Sequence, residues 1–447
     1  VEHPLDPALA VLRALLDAHP STRQVMVAYS GGIDSHVLLH WLTAQRPLPE
    51  KRRLTAAHVD HRLHPDSGGW AEHCRRTCEQ WDVPLRIVQV DARPKPGESP
   101  EAAARQARYQ ALRSLLEPEA AVLTAHQQDD QAETLLLQLL RGAGPAGLAA
   151  MPAVIRLGRG WLWRPLLEIE RARIVDYAQH HGLQWIDDAS NADRRPDRNY
   201  LRHEILPRLK ARWPAATRTL ARSARWCAET AEWLDAAADA DLRRATHPER
   251  PACLLIPVLL AWDEPRQCNV LRRWLHRLEL PAPASAQLAR IVHEVMPSPR
   301  DRRPLVRWPG CEIRRYRDHL YAMAPLPAHV PERRCTFDPA LTECVIPGIG
   351  RLHWRTVRGQ GIKLSALAKP SPSIRFRRGG ERLRPAGRHQ VHALKNLFQE
   401  AGIPPWERDR LPLLYVGEAL AAVGGLWVAA EFAAAPGEDG LVLDMSR

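Results

Sequence analysis

The chain has 447 residues, 45% of them hydrophobic, which is enough for about three domains of roughly 150 residues, each with a core to bury. Its 63 basic residues outnumber 51 acidic ones, and the net charge of +12 with a pI near 9.7 points to a polyanionic partner. No apolar run approaches the eighteen or so residues of a membrane span, the opening with Glu2 and Asp6 lacks an export pattern, and eight cysteines without a dense framework fit a reducing compartment; a soluble, cytoplasmic protein with no membrane partner is expected.

Four β-rich runs, over 24–29, 54–60, 85–90 and 120–125, recur at intervals of about thirty residues, the rhythm of βαβ units. The first leads straight into Ser30-Gly31-Gly32-Ile33-Asp34-Ser35 and then into the helical apolar pattern of Val37, Leu38, Trp41 and Leu42. Glycines let a backbone approach an anion, and the free N–H groups of a helix start, with the Ser30 and Ser35 hydroxyls, supply donors for phosphate. Asp34 would repel a phosphate unless a divalent cation sat between them, which suggests Mg²⁺. A capped tight turn would explain one polar side chain of this string but not all of them.

The second run ends in His58-Val59-Asp60-His61-Arg62-Leu63-His64. Its imidazoles suit either a place beside a nucleotide or zinc, although no carboxylate or cysteine completes a metal set in sequence. Trp70, Ala71, Cys74, Thr77, Cys78 and Trp81 mark one face of a helix, so Cys74 and Cys78 are expected in the core. On the next helix Arg105, Arg108 and Tyr109 fall on one side, where a guanidinium facing the strand-end crevice would neutralise leaving pyrophosphate.

After the fourth run come His126, Asp129, Asp130 and Glu133. At these spacings they share a helix face at the carboxyl end of a strand, where open α/β sheets bind ligands. Such a cluster suits Mg²⁺, an ammonium group, or both; one carboxylate alone would need no more than the helix dipole. Gly142-Ala143-Gly144-Pro145-Ala146-Gly147 matches a dinucleotide fingerprint by letter but follows a helix, so it reads as a helix stop. Leu220, Ala224, Cys227, Ala231 and Leu234 mark an amphipathic helix that opens a helical middle region. Pro325, Pro327 and Pro331 read as a linker whose start is blurred by strand-like patterns over 305–321, and a basic helix over 389–400 and a strand over 413–416 are expected beyond it.

The loop string resembles that of the N-type ATP pyrophosphatases, the PP-loop enzymes. Taken with 58–63, Ala104-Arg105-Gln106-Ala107-Arg108-Tyr109, 124–134, 141–148, Arg164-Pro165-Leu166, Asp187-Asp188-Ala189-Ser190-Asn191, Asp197-Arg198-Asn199-Tyr200-Leu201-Arg202 and 395–414, nearly the whole chain resembles the tRNA(Ile)-lysidine synthetase family. The resemblance implies an α/β fold with a doubly wound parallel sheet over 1–212, a helical, tRNA-binding middle domain over 213–323, a linker and strand region over 324–361, and a small α+β tRNA-binding domain over 362–447. It implies adenylation of the wobble cytidine of a CAU-anticodon tRNA(Ile) and attack by L-lysine at C2, with ATP and Mg²⁺ as cofactors, and leaves room for a homodimer. Carried over by position, Ser30, Gly31, Gly32, Ile33, Asp34, Ser35 and His58 bind the nucleotide, Asp34 and Asp130 the metal, and Asp34, Arg105, Arg108, His126, Asp130 and Glu133 shape the reaction site. Which carboxylate touches lysine and which touches metal stays open. A tRNA thiolase of the same superfamily is the nearest rival and would need reactive cysteines beside the loop; an RNA-binding protein with an inactive loop is the other, and would not release pyrophosphate.

Overall fold

The computed structural model describes residues 5–45, 48, 52–94, 99–188, 193–300, 302–368 and 371–446, so Ala189, Ser190 and Asn191 of the expected family string lie outside the described residues. The chain divides into two compact units, Val1–Ala236 and Ala237–Arg447. Among the described residues no helix is long and apolar enough to cross a membrane.

The first unit is built on a six-stranded sheet: β1 Gln24–Ala28, β2 Arg53–Asp60, β3 Leu85–Gln89, β4 Ala121–Leu123, β5 Val154–Leu157 and β6 Gly160–Trp163, in the order β3-β2-β1-β4-β6-β5. Around it lie α1 Asp6–Ala18, α2 Ile33–Ala44, α3 Ser67–Gln80, α4 Pro100–Leu115, α5 Gln128–Leu140, α6 Pro145–Leu148 and α7 Arg171–His180. The four expected strands are present and parallel. The hairpin β5–β6 extends the sheet; β6 runs parallel to β4 and β5 antiparallel at the edge. Alternation along the strands feeds two cores, as a sheet buried on both faces requires. Val25, Val27, Leu54, Ala56, Leu123 and Trp163 pack with Leu12, Leu38, Trp41, Cys74 and Tyr177, while Met26, Ala57, Val122 and Leu162 pack with Leu112 and Leu116 of the opposite face.

Beyond α7 the chain forms α8 Asp197–Tyr200, a π-helical turn over Leu201–Ile205, α9 Leu206–Arg212 and the long α10 Ala216–Ala245. The Gly142–Gly147 run does end α5, with Gly142 at φ +70, and then starts α6.

In the second unit, β7 Thr246–His247, β8 Arg250–Leu255, β9 Leu305–Trp308, β10 Cys311–Tyr316 and β11 His319–Met323 form an antiparallel sheet of order β7-β8-β11-β10-β9. It packs with α11 Ile256–Leu260, α12 Glu264–Arg277 and α13 Ser285–Arg290 around Leu271, Trp274, Ile291 and Ile313. The region expected to be helical is therefore a mixture of helices and a five-stranded sheet, because the strand-like stretch before the linker forms β9, β10 and β11, and β11 pairs onward with β8. Two further sheets follow, β12-β16-β19-β20-β21 and β13-β14-β22-β15, with a small β17–β18 pair. Their strands are β12 Cys335–Thr336, β13 Glu343–Ile346, β14 Gly350–Arg358, β15 Ile362–Lys363, β16 Pro372–Arg375, β17 Arg382–Leu383, β18 His392–Ala393, β19 Leu413–Val416, β20 Ala419–Val423, β21 Trp427–Val428 and β22 Asp439–Ser446. Phe337, Trp354, Ile374, Leu414 and Leu443 form the core between them. Residues 343–358 are thus sheet strands paired with β22 and with each other. The basic helix begins at Leu394, as α14 Leu394–Glu400, since 392–393 pair as β18; α15 Pro405–Arg408 follows.

Candidate functional site

The order β3-β2-β1-β4 reverses direction between β1 and β4, and a crevice outside the carboxyl ends of such strands is where open α/β sheets bind ligands. A cavity of about 620 Å³ opens there, bordered by the loop after β1, the segment after β2 and the start of α5.

The loop is tied to itself. Ser30 N donates to Ser35 Oγ at 3.2 Å, the two hydroxyls lie 3.0 Å apart, and Ser35 Oγ donates to the Gly32 carbonyl at 3.0 Å. Gly31 has φ +86, and a Cβ there would overlap Ile186 and come within 3.1 Å of Cys74 Sγ; the Ile186 N–H donates to its carbonyl at 2.9 Å. Gly32, with φ −70 and no atom nearer than 3.6 Å to a Cβ, is free of that constraint and faces the cavity. Asp34 stands in the first turn of α2. Burial raises its carboxyl to about 6, against the pull of Arg171 and with a push from Asp130. Arg171 Nη1 is 3.8 Å from Oδ2, while Oδ1 is buried without a hydrogen bond.

His58 is buried, and its Nδ1 donates to the Tyr29 carbonyl at 3.0 Å, leaving Nε2 as an acceptor. Burial lowers its pKa, as it does for His61. Among the described residues no group of three or more His, Cys, Asp or Glu side chains is placed to hold a metal, so the histidines of 58–64 form no zinc site there. Cys74 and Cys78 are buried and free, and burial pushes both thiols up to about 12, which leaves them without thiolate character.

Helix α5 begins at Gln128, so His126 precedes the helix instead of sharing its face. Gln127 is the cap: its Oε1 accepts from Asp129 N at 2.6 Å, and Asp130 Oδ2 accepts from Gln127 N at 3.0 Å, a reciprocal capping box. His126 Nδ1 is 2.9 Å from Thr124 Oγ1. Its pKa lies well below the ordinary value through burial and the nearby guanidinium groups of Arg164, Arg108, Arg105 and Arg198, so the imidazole is neutral.

The expected open acidic face is instead clamped from α9 and the π-helical turn. Arg202 donates to Glu133 at 2.7 and 2.9 Å and to Asp130 at 3.0 Å. Lys210 Nζ lies 2.6 Å from Asp129, and Arg198 donates to Thr134 Oγ1 at 2.7 Å. Glu133 is 0% exposed, and burial lifts its carboxyl to about 7 against the Arg202 pair. The fold therefore brings Ser30, Gly32, Asp34, Ser35, His58, Arg108, His126 and Asp130 to one cavity. Gly31, Ile33, Arg105 and Glu133 are not part of its lining; Arg105 lies over the Tyr109 ring at 5.0 Å, and Glu133 sits behind Asp130. Trp70, Ile186 and Asp188 line the cavity as well; Asp188 belongs to the family string over 187–191 and Trp70 to the helix face expected in the core, whereas Ile186 and Arg171 carry no local signal that would have assigned them to the site.

The chain matches three family models: a PP-loop domain over residues 8–209, a TilS substrate binding domain over 254–321 and a TilS substrate C-terminal domain over 373–445. It is 44% identical to a tRNA(Ile)-lysidine synthase of Methylococcus capsulatus over 94% of this chain and 95% of that protein. It is 42% identical to that of Coxiella burnetii, over 93% and 91%, and 45% identical to that of Alkalilimnicola ehrlichii, over 92% and 91%.

Proposed function

This chain belongs to the tRNA(Ile)-lysidine synthase family, and from that premise we propose that it joins L-lysine to C2 of the wobble cytidine of a CAU-anticodon tRNA(Ile), converting ATP to AMP and pyrophosphate. It is a ligase that uses ATP. The observation that best supports the site assignment is the meeting, in one cavity, of the anion-binding loop with Asp34, Asp130, Arg108 and a neutral His126.

The chemistry asks for two steps. The cytidine O2 attacks the α-phosphorus and pyrophosphate leaves; the lysine ε-amine then attacks C2, loses a proton, and AMP departs with the oxygen. Ser30, Gly32 and Ser35 hold phosphate oxygens through hydroxyl and N–H donors. Arg108 stabilises the charge on leaving pyrophosphate. Asp34, with its buried unbonded oxygen, and Asp130 would hold Mg²⁺, which when bound screens the phosphate charges from the protein's carboxylates. Asp130 also pairs with the lysine ε-ammonium and takes up the proton it must lose before the free amine can attack C2. Glu133, closed off from the cavity, acts as a positioning residue that fixes Arg202 and through it Asp130.

Incubation with ATP, Mg²⁺, labelled lysine and tRNA(Ile) of CAU anticodon, followed by nucleoside analysis, tests this reading. Labelled lysidine with one AMP per residue formed is expected. AMP formation without a labelled nucleoside would overturn it.

A further inference from the structure

The stretch that follows the Arg202 clamp carries cations that the fold does not use. From Ile205 to Ala228 there are six basic residues and no acidic one. Half of them are committed: Arg208 to Glu204 at 3.6 Å, Lys210 to Asp129 at 2.6 Å, and Arg225 to Glu168 and Glu229 at 3.8 and 3.9 Å. Arg212, Arg218 and Arg222 are exposed, and among the described residues no carboxylate lies within ion-pair distance of them. Two of these guanidinium groups lie over exposed indoles instead. Arg212 is 5.6 Å from the ring of Trp213 and Arg222 5.4 Å from that of Trp226, and the two tryptophans are 59% and 54% exposed.

Arg218, Arg222 and Trp226 recur every four residues, so they share one face of α10 over about 12 Å of helix. Single exposed apolar residues are ordinary, but two indoles each flanked by an uncommitted guanidinium combine the two elements that bind nucleic acid without sequence preference. A free guanidinium takes a phosphate bidentately, and an exposed indole offers a stacking face to an unpaired base. The strip is also continuous with the reaction site, since α9 carries Lys210, which holds Asp129 at the start of α5.

We propose that Arg212, Trp213, Arg218, Arg222 and Trp226 form an RNA-docking strip that holds the tRNA beside the nucleotide to be modified, through backbone phosphates and a stacked unpaired base. This rests on the lysidine-forming reading for the identity of the RNA. A second copy of the chain is the other occupant that would cover the indoles, but a two-fold pairing of this strip with itself sets like cations against one another.

Fluorescence anisotropy of CAU-anticodon tRNA(Ile) binding to the full chain across a salt series tests the strip. Arg218→Gln with Arg222→Gln should lower the magnitude of the log K versus log salt slope by about 1.8, or 0.9 per phosphate, and raise the KM for tRNA. Trp226→Ala should weaken binding about tenfold or more with the slope unchanged, and Trp226→Phe should restore most of it. ATP affinity in the same preparations reports an intact nucleotide cavity. Unchanged slope and affinity in both variants would overturn the proposal. So would a wild-type dimer, seen by sedimentation, that Trp226→Ala dissociates while tRNA affinity stays the same. A strip-dependent slope in a wild-type protein that forms no lysidine would support the strip and overturn the lysidine reading instead.

Discussion

Replacing Arg202 by alanine removes the guanidinium that joins Glu133 and Asp130 and leaves Glu133 in a site with no solvent exposure. Breaking a buried ion pair by deleting one partner costs about 3–5 kcal/mol, but here the cost depends on pH. The Glu133 carboxyl is raised from 4.5 to about 7 by burial, so between those values the native state holds a proton that the unfolded chain has released. Stability attributable to this group is therefore present at low pH and falls as pH climbs through the window, by roughly 3 kcal/mol in all. Without Arg202 the native pKa moves higher still. Below about pH 6 Glu133 is neutral with or without Arg202, and the variant loses mainly packing and the Asp130 contact. At pH 8 Glu133 remains ionised and held by Arg202 in the unaltered protein; in the variant it must either stay charged with only Arg198, whose Nε is 3.6 Å away, or be protonated against the solvent. At 2–4 °C per kcal/mol for a unit of this size, the full cost is a Tm drop of about 6–20 °C at pH 8, and less than half of that at pH 6. Thermal unfolding followed by circular dichroism at the two pH values measures it, with Glu133→Gln in the Arg202→Ala background expected to recover most of the loss at pH 8. An equal drop at both pH values would refute the argument that Glu133 carries the cost.

Asp34→Asn should reduce AMP formation by about a hundredfold or more with little change in Tm, read by tRNA-dependent pyrophosphate release; near-normal turnover would remove Asp34 from the phosphate end of the site. Gly31→Ala should destabilise the first unit by about 1–3 kcal/mol, because of its positive φ and the overlap with Ile186, whereas Gly32→Ala should leave Tm within about 0.5 kcal/mol of the unaltered protein and act, if at all, on ATP affinity; equal melting of the two variants would contradict the geometry. In the last domain Arg375, Arg377 and Arg388 are already paired with Glu418, Asp409 and Glu400, so neutralising Arg378, Arg382 and Arg384 together should lower the tRNA salt slope by about two to three units, and neutralising the paired three should lower it by less.

The chemistry of the loop was legible in the sequence because its signals are local: strand, glycine turn, helix start and acid follow one another within a dozen residues. The same locality placed β1 to β4 and the buried Cys74 and Cys78. The hairpin β5–β6 was missed although 154–163 alternates around Gly158, whose φ is +59, since so short a run is ambiguous without its neighbour β4. His126 was put on the helix because periodicity does not see the cap at Gln127. The least legible feature was the clamp on the acids. Arg202 lies 69 residues from Glu133 and Lys210 lies 81 from Asp129, so the spacing that put Asp129, Asp130 and Glu133 on one face could not show that each of the three is already held by a basic side chain. In the middle region the helix pattern of 220–234 was read outward too far, and the sheet closed by β8 depends on pairing across more than sixty residues.

The pairing of β14 with β22 joins residues 351–358 to 439–446, with about 80 residues of chain between them. Translation proceeds from the amino end at about 5–20 residues per second, so β14 waits roughly 4–16 s on the ribosome for its partner. During that time only β13 covers one edge, and Leu352 and Trp354, buried in the finished core, have no β22 to pack beside. The open edge is a template for strand addition by any other chain. The unit is therefore open to misassembly during synthesis, at a stage that no contact made only in the finished sheet can protect.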